Sequence, residues 1–99
     1  MVESIKLAQE DIPVIPPRFR LQWEPAQNAH VLLYPEGMVK LSDSAAHILK
    51  RVDGAASVSA IIHDLERAFP GNDLSSDVLE FLGIAHERGW IVISATSIR

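Results

Sequence analysis

Residues 18–37 read Arg-Phe-Arg-Leu-Gln-Trp-Glu-Pro-Ala-Gln-Asn-Ala-His-Val-Leu-Leu-Tyr-Pro-Glu-Gly, and this stretch decides the fold. At its start Phe19, Leu21 and Trp23 alternate with polar residues, which is the pattern of a strand with one buried face. We expect these three side chains to hold the strand onto the rest of the domain. Residues 25–28 have the composition of a turn, and a second apolar run follows. The stretch therefore predicts the first two strands of an antiparallel meander.

The second predicted strand, residues 28–34, is apolar on both faces. Its two faces carry Ala29, Val31 and Leu33, and His30, Leu32 and Tyr34. A strand without a polar face is either covered on both sides or central in its sheet. After a turn at residues 35–37, Met38–Leu41 is predicted as a short third strand.

Three helices are predicted after the meander. Ser42 is a suitable N-cap for the first, which we expect to end at Gly54. Ser57 is the predicted N-cap of the second helix. Its apolar residues fall within an arc of about 120° and form its predicted buried face: Val58, Ile61, Ile62, Leu65 and Phe69. One buried face is enough for such a helix.

The third predicted helix is capped by Ser75 or Ser76 and runs to Gly89. Its apolar residues spread over about 220° of the circumference, which is too wide for one buried face. Either this helix is buried on two sides within the domain, or one side is open to a ligand. Residues 90–93 are predicted as a short strand or extended tail.

The composition is that of one small domain. The chain has 99 residues, a formal net charge of -4 and no cysteine. We expect a proline-containing N-terminal tail over residues 1–17, a folded domain over residues 18–93 and a C-terminal tail over residues 94–99. The N-terminal tail is either disordered or docked on the domain or on a second copy. Because no apolar run is long enough to cross a bilayer and no signal peptide is evident, a cytoplasmic protein is expected.

The sequence offers no arrangement of residues typical of an active site. The four histidines form no pair at helical spacing, no Gly-x-Ser-x-Gly elbow is present, and the glycines form no phosphate-binding loop. We therefore expect no catalytic activity, no metal and no cofactor.

A winged helix-turn-helix that binds nucleic acid is the alternative interpretation of three helices followed by a short β segment. Residues 42–89 contain eight acidic and four basic residues, so the helical region would repel phosphates. Among the functions considered, binding of a peptide or a protein is the one that the sequence leaves open. The side of residues 38–41 away from the second strand is open to an extended peptide, unless the first strand or residues 90–93 cover it.

The residues also resemble a known family. Leu21-Gln22-Trp23-Glu24, then Gln27, then His-Val-Leu-Leu-Tyr-Pro-Glu-Gly at residues 30–37 look like the signature of the pyrroloquinoline quinone (PQQ) biosynthesis protein D family. Weaker matches extend the resemblance over roughly residues 13–93, including Asp53-Gly54 and Gly89-Trp90.

The resemblance implies an α+β, winged-helix-like fold, in which a three-stranded antiparallel β-meander packs on a three-helix bundle. It implies a non-catalytic peptide chaperone, a recognition element for ribosomally made and later modified peptides. Members of the family bind the PQQ precursor peptide and present it to a radical S-adenosylmethionine (SAM) enzyme that cross-links a glutamate and a tyrosine. Nucleic acid and membranes are not expected partners. A monomer and a homodimer, including one formed by exchange of the N-terminal segment, both remain open.

The resemblance also implies a peptide groove between the third strand and the third helix. We expect the peptide to add as an antiparallel strand to residues 38–41 and to place apolar side chains against the helix. The residues expected to bind it are Met38, Val39, Lys40, Leu41, Asp77, Val78, Phe81, Leu82 and Ala85.

Overall fold

The computed structural model describes residues 7–95 and has five strands and three helices. The strands are β1 (Ile12–Val14), β2 (Arg20–Glu24), β3 (Ala29–Tyr34), β4 (Gly37–Lys40) and β5 (Val92–Ala95). The helices are α1 (Asp43–Leu49), α2 (Val58–Ala68) and α3 (Ser75–Glu87). A short 3-10 helix, Pro25–Gln27, joins β2 to β3. The α+β class and the order of meander and helices are confirmed.

The main sheet has the order β2-β3-β4 with antiparallel pairing throughout. The central strand β3 places Leu32 opposite Leu21 on one side and Val39 on the other, and all three face the core. Val31 points to the opposite face and is also fully buried. Both alternatives for this strand, central in the sheet or covered on both sides, agree with the structure, since β3 is central and has a fully buried residue on each face.

The predicted anchoring role of Trp23 is wrong. On the same face of the sheet Phe19 is buried and stacks at a tilt against Tyr34, and Leu21 packs against the core. Trp23 lies at the far end of β2, remains 49% exposed, and contacts the ring edge of His30 at a centroid distance of 5.2 Å. Alternation assigns a residue to a face of the sheet, but the extent of the packed helices decides how much of that face is buried.

Residues 7–14 dock on the domain of the same chain. β1 pairs antiparallel with β5 in a separate two-stranded sheet, and Leu7 belongs to the core. Upstream of β1, the carbonyl oxygens of Gln9 and Asp11 accept hydrogen bonds from backbone amides in the first turn of α2, at 2.9 Å each. Of the alternatives given for the N-terminal tail, residues 7–14 follow the one in which the tail docks on its own domain. Residues 1–6 and 96–99 of the two predicted tails lie outside the described residues, and the domain boundaries stay a prediction.

Helix α1 begins as predicted and ends earlier. Ser42 caps it by accepting a hydrogen bond from the amide of Ala45 at 3.2 Å, but the helix ends at Leu49 and not at Gly54. The amides of Arg51 and Val52 donate to the carbonyl oxygens of the residues three positions earlier. The chain therefore leaves the α-helix through a tighter, 3-10-type turn. The Arg51 guanidinium also donates a hydrogen bond to the carbonyl oxygen of His47, so a side chain satisfies a carbonyl group in the last turn of the helix.

Asp53 holds the loop between α1 and α2. Its carboxylate accepts hydrogen bonds from the amides of Ala56 and Ala55, and these bonds lower the pKa of Asp53 below its ordinary value of 3.8. Because the folded pKa is below the unfolded one, the carboxylate stabilises the folded state above the unfolded pKa. This contribution is lost as the pH falls through the folded pKa.

Acidification is therefore expected to destabilise the protein partly through Asp53. Thermal unfolding at about pH 6 and about pH 3 should show a smaller loss of stability on acidification for Asp53→Asn than for the unmodified protein, because the amide does not titrate. Glu36→Gln, at an exposed turn position, is the control for the loss of one charge. Equal acid sensitivity of the unmodified protein and Asp53→Asn would contradict the role of this carboxylate.

Helix α2 begins as predicted, whereas the predicted cap of α3 is wrong. Ser57 caps α2 by accepting a hydrogen bond from the amide of Ala60 at 3.1 Å. Leu74 occupies the N-cap position of α3, and the cap residue makes no side-chain hydrogen bond to the helix. Carboxylates outside α3 replace the serine cap. Glu66 accepts a hydrogen bond from the amide of Leu74, and Asp73 accepts from the amide and the hydroxyl of Ser75.

The C-terminal end of α3 is closed by a glycine in the left-handed region. Gly89 has φ +79°, its amide donates to the carbonyl oxygen of His86, and the amide of Trp90 donates to that of Ala85. These two bonds form a Schellman motif, which favours glycine at this position. The helix itself ends at Glu87, two residues before the predicted end.

Candidate functional site

The outer edge of β4 is free of strand pairing within residues 7–95. The amide of Leu41 donates to the carbonyl oxygen of His30 at 3.0 Å, which makes these two residues a hydrogen-bonded pair of the ladder. Because such pairs alternate along antiparallel strands, Val39 directs its backbone groups toward β3, whereas Met38 and Lys40 direct theirs away from it. The edge therefore presents the N–H and C=O groups of Met38 and Lys40.

The side chains of β4 divide between the two faces of the sheet. Met38 is 46% exposed and Lys40 is exposed, both on the face away from the core. Val39 packs against the core, and Leu41 after the strand is buried within it. The backbone of β4 and the Met38 side chain are accessible, but the Leu41 side chain is not.

Helix α3 buries one stripe and leaves the next partly open. Val78, Leu82 and Ala85 are buried in the core. Beside them, Phe81 is half-buried and Ile84 is 40% exposed. Only part of the wide apolar arc is thus needed for the core, and the remaining part is available for contact.

A cavity of about 600 Å³ lies between α1, the C-terminal end of α2 and the first half of α3. Its apolar wall consists of Ala45, Ile48, Leu65, Phe69, Leu74, Val78 and Phe81. Its polar rim consists of Ser42, Asp43, Ser44, His47, Asn72 and Asp77. Ser42 lies at its rim and directly follows Leu41, so the cavity adjoins the C-terminal end of β4 along the chain.

The structure brings together only some of the residues predicted to bind peptide. Asp77, Val78 and Phe81 line the cavity. The four residues from Met38 to Leu41 form the adjoining strand and its end, and Leu82 and Ala85 lie in the core, outside the cavity wall. Whether these nine residues bind a peptide stays a prediction.

Sequence reasoning missed the part of the cavity wall contributed by α1 and α2. Phe69 was assigned to the buried face of α2, but it is 39% exposed and contacts the ring edge of His47 at a centroid distance of 5.0 Å. The available signal was its position: Phe69 directly precedes Pro70, where the helix has to stop. A large apolar residue at a helix end lies where the core no longer covers it on all sides.

Several acidic side chains of the helical region have structural partners. Asp64 pairs with Arg51 at 2.6 Å and lies 3.8 Å from Arg67, which ties the end of α1 to α2. Glu66 and Asp73 hold the start of α3. Some of the acidic residues of the helical region therefore stabilise the contacts between the helices and the start of α3.

The described part of the chain shows no group of three or more histidine, aspartate or glutamate side chains placed to hold a metal ion. No helix within residues 7–95 is long and apolar enough to cross a membrane.

The fold and the site define a winged-helix-like α+β domain in which an open strand edge adjoins an apolar cavity. The family model described as "Coenzyme PQQ synthesis protein D (PqqD)" matches residues 29–91, which is more than half of the chain. The chain belongs to the PqqD family.

Relatives and a solved structure agree with this membership. A PqqA binding protein of Azotobacter vinelandii is 62% identical over 82 residues, which cover 82% of this chain and 89% of that protein. A PqqA binding protein of Stutzerimonas stutzeri is 50% identical over 91 residues, which cover 91% of this chain and 97% of that protein.

The solved structure is the solution NMR structure of the PqqD truncation of Methylobacterium extorquens PqqCD. It is described as a functional and stand-alone recognition element for ribosomally synthesized and post-translationally modified peptides. It matches with a TM-score of 0.74 and 31% identity, over 87% of this chain and 94% of that one. The winged-helix-like fold inferred from the resemblance is confirmed.

Proposed function

We propose that this protein is a non-catalytic peptide chaperone that binds the PQQ precursor peptide, PqqA, and presents it to the radical SAM enzyme of the pathway. Its relatives are named for PqqA binding, and the solved member is described as a recognition element. The observation that carries the proposal is the open backbone edge of β4, whose C-terminal end adjoins the rim of an apolar cavity at Ser42. Extended peptides bind such edges through main-chain hydrogen bonds and gain specificity from adjacent pockets.

In this mechanism the peptide adds as a strand antiparallel to β4. Its backbone pairs with the outward N–H and C=O groups of Met38 and Lys40, while Val39 and Leu41 keep the strand on the core. Side chains on one face of the added strand are expected to contact α3 at Asp77 and Phe81, which are accessible at the cavity. Val78 forms part of the buried cavity wall, and Leu82 and Ala85 support it from the core.

Binding in this way serves the modifying enzyme by proximity. A peptide held on a carrier that also docks on the enzyme reacts at a high effective concentration. The carrier needs no catalytic group for this role. A ribosomally made peptide places the encounter in the cytoplasm, and both a monomer and a homodimer are compatible with it.

Hydrogen exchange at β4 tests the strand addition. Saturation with synthetic PqqA is expected to slow exchange of the Met38 and Lys40 amides by about tenfold, since each gains a main-chain hydrogen bond. The amide of Leu41, which is already bonded to His30, is the internal reference. Protection confined to β2, the other edge of the sheet, would contradict addition at β4.

A proline substitution separates the backbone of Lys40 from its side chain. Lys40→Pro removes an N–H that points away from β3, and edge strands tolerate proline at such positions. We expect the folded variant to lose PqqA affinity by about tenfold, the value of one good hydrogen bond. Lys40→Ala is the matched control and should bind within about twofold of the unmodified protein, because exposed side chains contribute little.

A further inference from the structure

We propose that the cavity between α1 and α3 holds large apolar side chains of the bound peptide, and that a neighbouring lysine or arginine of the peptide lies at Asp43 and Asp77. This inference deepens the proposed function and rests on it. The cavity would then be a second contact site for the peptide beside the β4 edge, selective for apolar side chains followed or preceded by a basic one.

The cavity has the size and the lining of a ligand site. A volume of about 600 Å³ lies within the range of pockets that bury small ligands and exceeds the size of a single side chain. Ile48, Leu65 and Val78 form a buried apolar wall, while Phe69 and Phe81 line the cavity and are partly exposed. Two apolar side chains from one peptide fit this space and lose water on entering it.

The rim of the cavity carries two carboxylates, and the described part of the chain places no lysine or arginine beside them. Asp43 and Asp77 are exposed and, within residues 7–95, make no side-chain hydrogen bond or ion pair. Among residues 7–95, no lysine or arginine lines the cavity. This distinguishes the two rim carboxylates from Asp64 and Glu66, whose partners lie within the protein.

Charge complementarity therefore selects the occupant. An apolar peptide segment would pack against the cavity wall, and an adjacent lysine or arginine would pair with the carboxylates of the rim. An acidic residue in the same place would be repelled by them. Asp43 and Asp77 each lie in the first turn of a helix, where a carboxylate also stabilises its own helix. The experiment has to separate these two roles.

The test is calorimetric titration with synthetic PqqA of Azotobacter vinelandii. The double variant Asp43→Asn/Asp77→Asn is expected to bind about fivefold to tenfold more weakly at low salt, which corresponds to two exposed ion pairs. Its affinity should also depend less on salt, because those pairs are screened. The control Glu80→Gln/Glu87→Gln removes two charges from exposed positions of α3 outside the cavity and should bind within about twofold.

A blocking variant tests the apolar part. Ser44 is exposed at the rim, so Ser44→Trp fills the opening without touching the core, and it should lower the affinity at least about tenfold. A PqqA analogue with every lysine and arginine replaced by glutamine should bind the unmodified protein and Asp43→Asn/Asp77→Asn equally.

The outcomes are distinct. Unchanged affinity of the folded Asp43→Asn/Asp77→Asn variant, together with a lower melting temperature, would assign the carboxylates to helix stabilisation and overturn the inference. Unchanged affinity of Ser44→Trp would also overturn it. Both results would leave the proposed function intact, whereas that function fails if the unmodified protein does not bind PqqA at all.

Discussion

Replacing Leu82 by alanine is expected to lower the free energy of unfolding by about 2–5 kcal/mol, because the substitution leaves a cavity in a fully packed site. Leu82 has no exposed surface and belongs to the core cluster of all three helices. Domains of this kind have a total stability of about 5–15 kcal/mol, so the substitution removes a large fraction of it. Urea unfolding followed by circular dichroism measures the change.

Phe81→Ala, one position earlier on the same helix, is the informative comparison. Phe81 is half-buried, lines the cavity and lies near Trp90 at a ring distance of 6.4 Å. Its truncation should cost clearly less stability than that of Leu82 and should weaken PqqA binding in the folded protein. If Leu82→Ala were fully stable and lost only peptide affinity, the assignment of Leu82 to the core would be refuted.

The elements defined by local sequence could be predicted with good bounds. Strict alternation predicts Phe19 and Leu21 on the core face, and the absence of a polar face predicts that β3 is either central or covered on both sides. Ser42 and Ser57 cap their helices because an N-cap depends only on residues within one turn. These features need no information about distant parts of the chain.

Features that depend on distant residues could not be predicted in the same way. The start of α3 depends on Glu66 in another helix, and the end of α1 depends on a guanidinium that also pairs across to Asp64. The proline-containing segment before β2 finds its strand partner in β5, nearly at the other end of the chain. Nothing in residues 12–14 alone identifies that partner.

The candidate site shows the same division. The wide apolar arc of α3 follows from the periodicity of one element, and an open edge at residues 38–41 is one of the alternatives that the order of the strands allows. The cavity was not anticipated, since its wall combines Ala45, Leu65 and Phe69 with α3 and exists only in the packed structure. Periodicity also cannot separate Phe81, which reaches the cavity, from Leu82, which supports it from the core.

Deleting residues 1–11 is expected to destabilise the protein by about 3–5 kcal/mol and to leave peptide recognition in place. The deletion removes Leu7 from the core, where burial of such a side chain contributes about 1.5–3 kcal/mol. It also removes the carbonyl oxygens of Gln9 and Asp11, so the amides of Val58 and Ser59 at the start of α2 lose their protein partners. Each lost hydrogen bond costs about 0.5–1.5 kcal/mol, because water replaces part of its energy.

The matched control deletes residues 1–6 alone and keeps Leu7 and both hydrogen bonds. Thermal unfolding of the two deletions should therefore separate them clearly, with the longer deletion unfolding first. At a temperature where both remain folded, PqqA affinity should be equal, because neither the β4 edge nor the cavity wall includes residues 7–11. Equal stability of the two deletions would show that the N-terminal segment does not stabilise α2. A loss of affinity confined to the longer deletion would instead place this segment at the peptide site, which the separation of the two surfaces in the fold argues against.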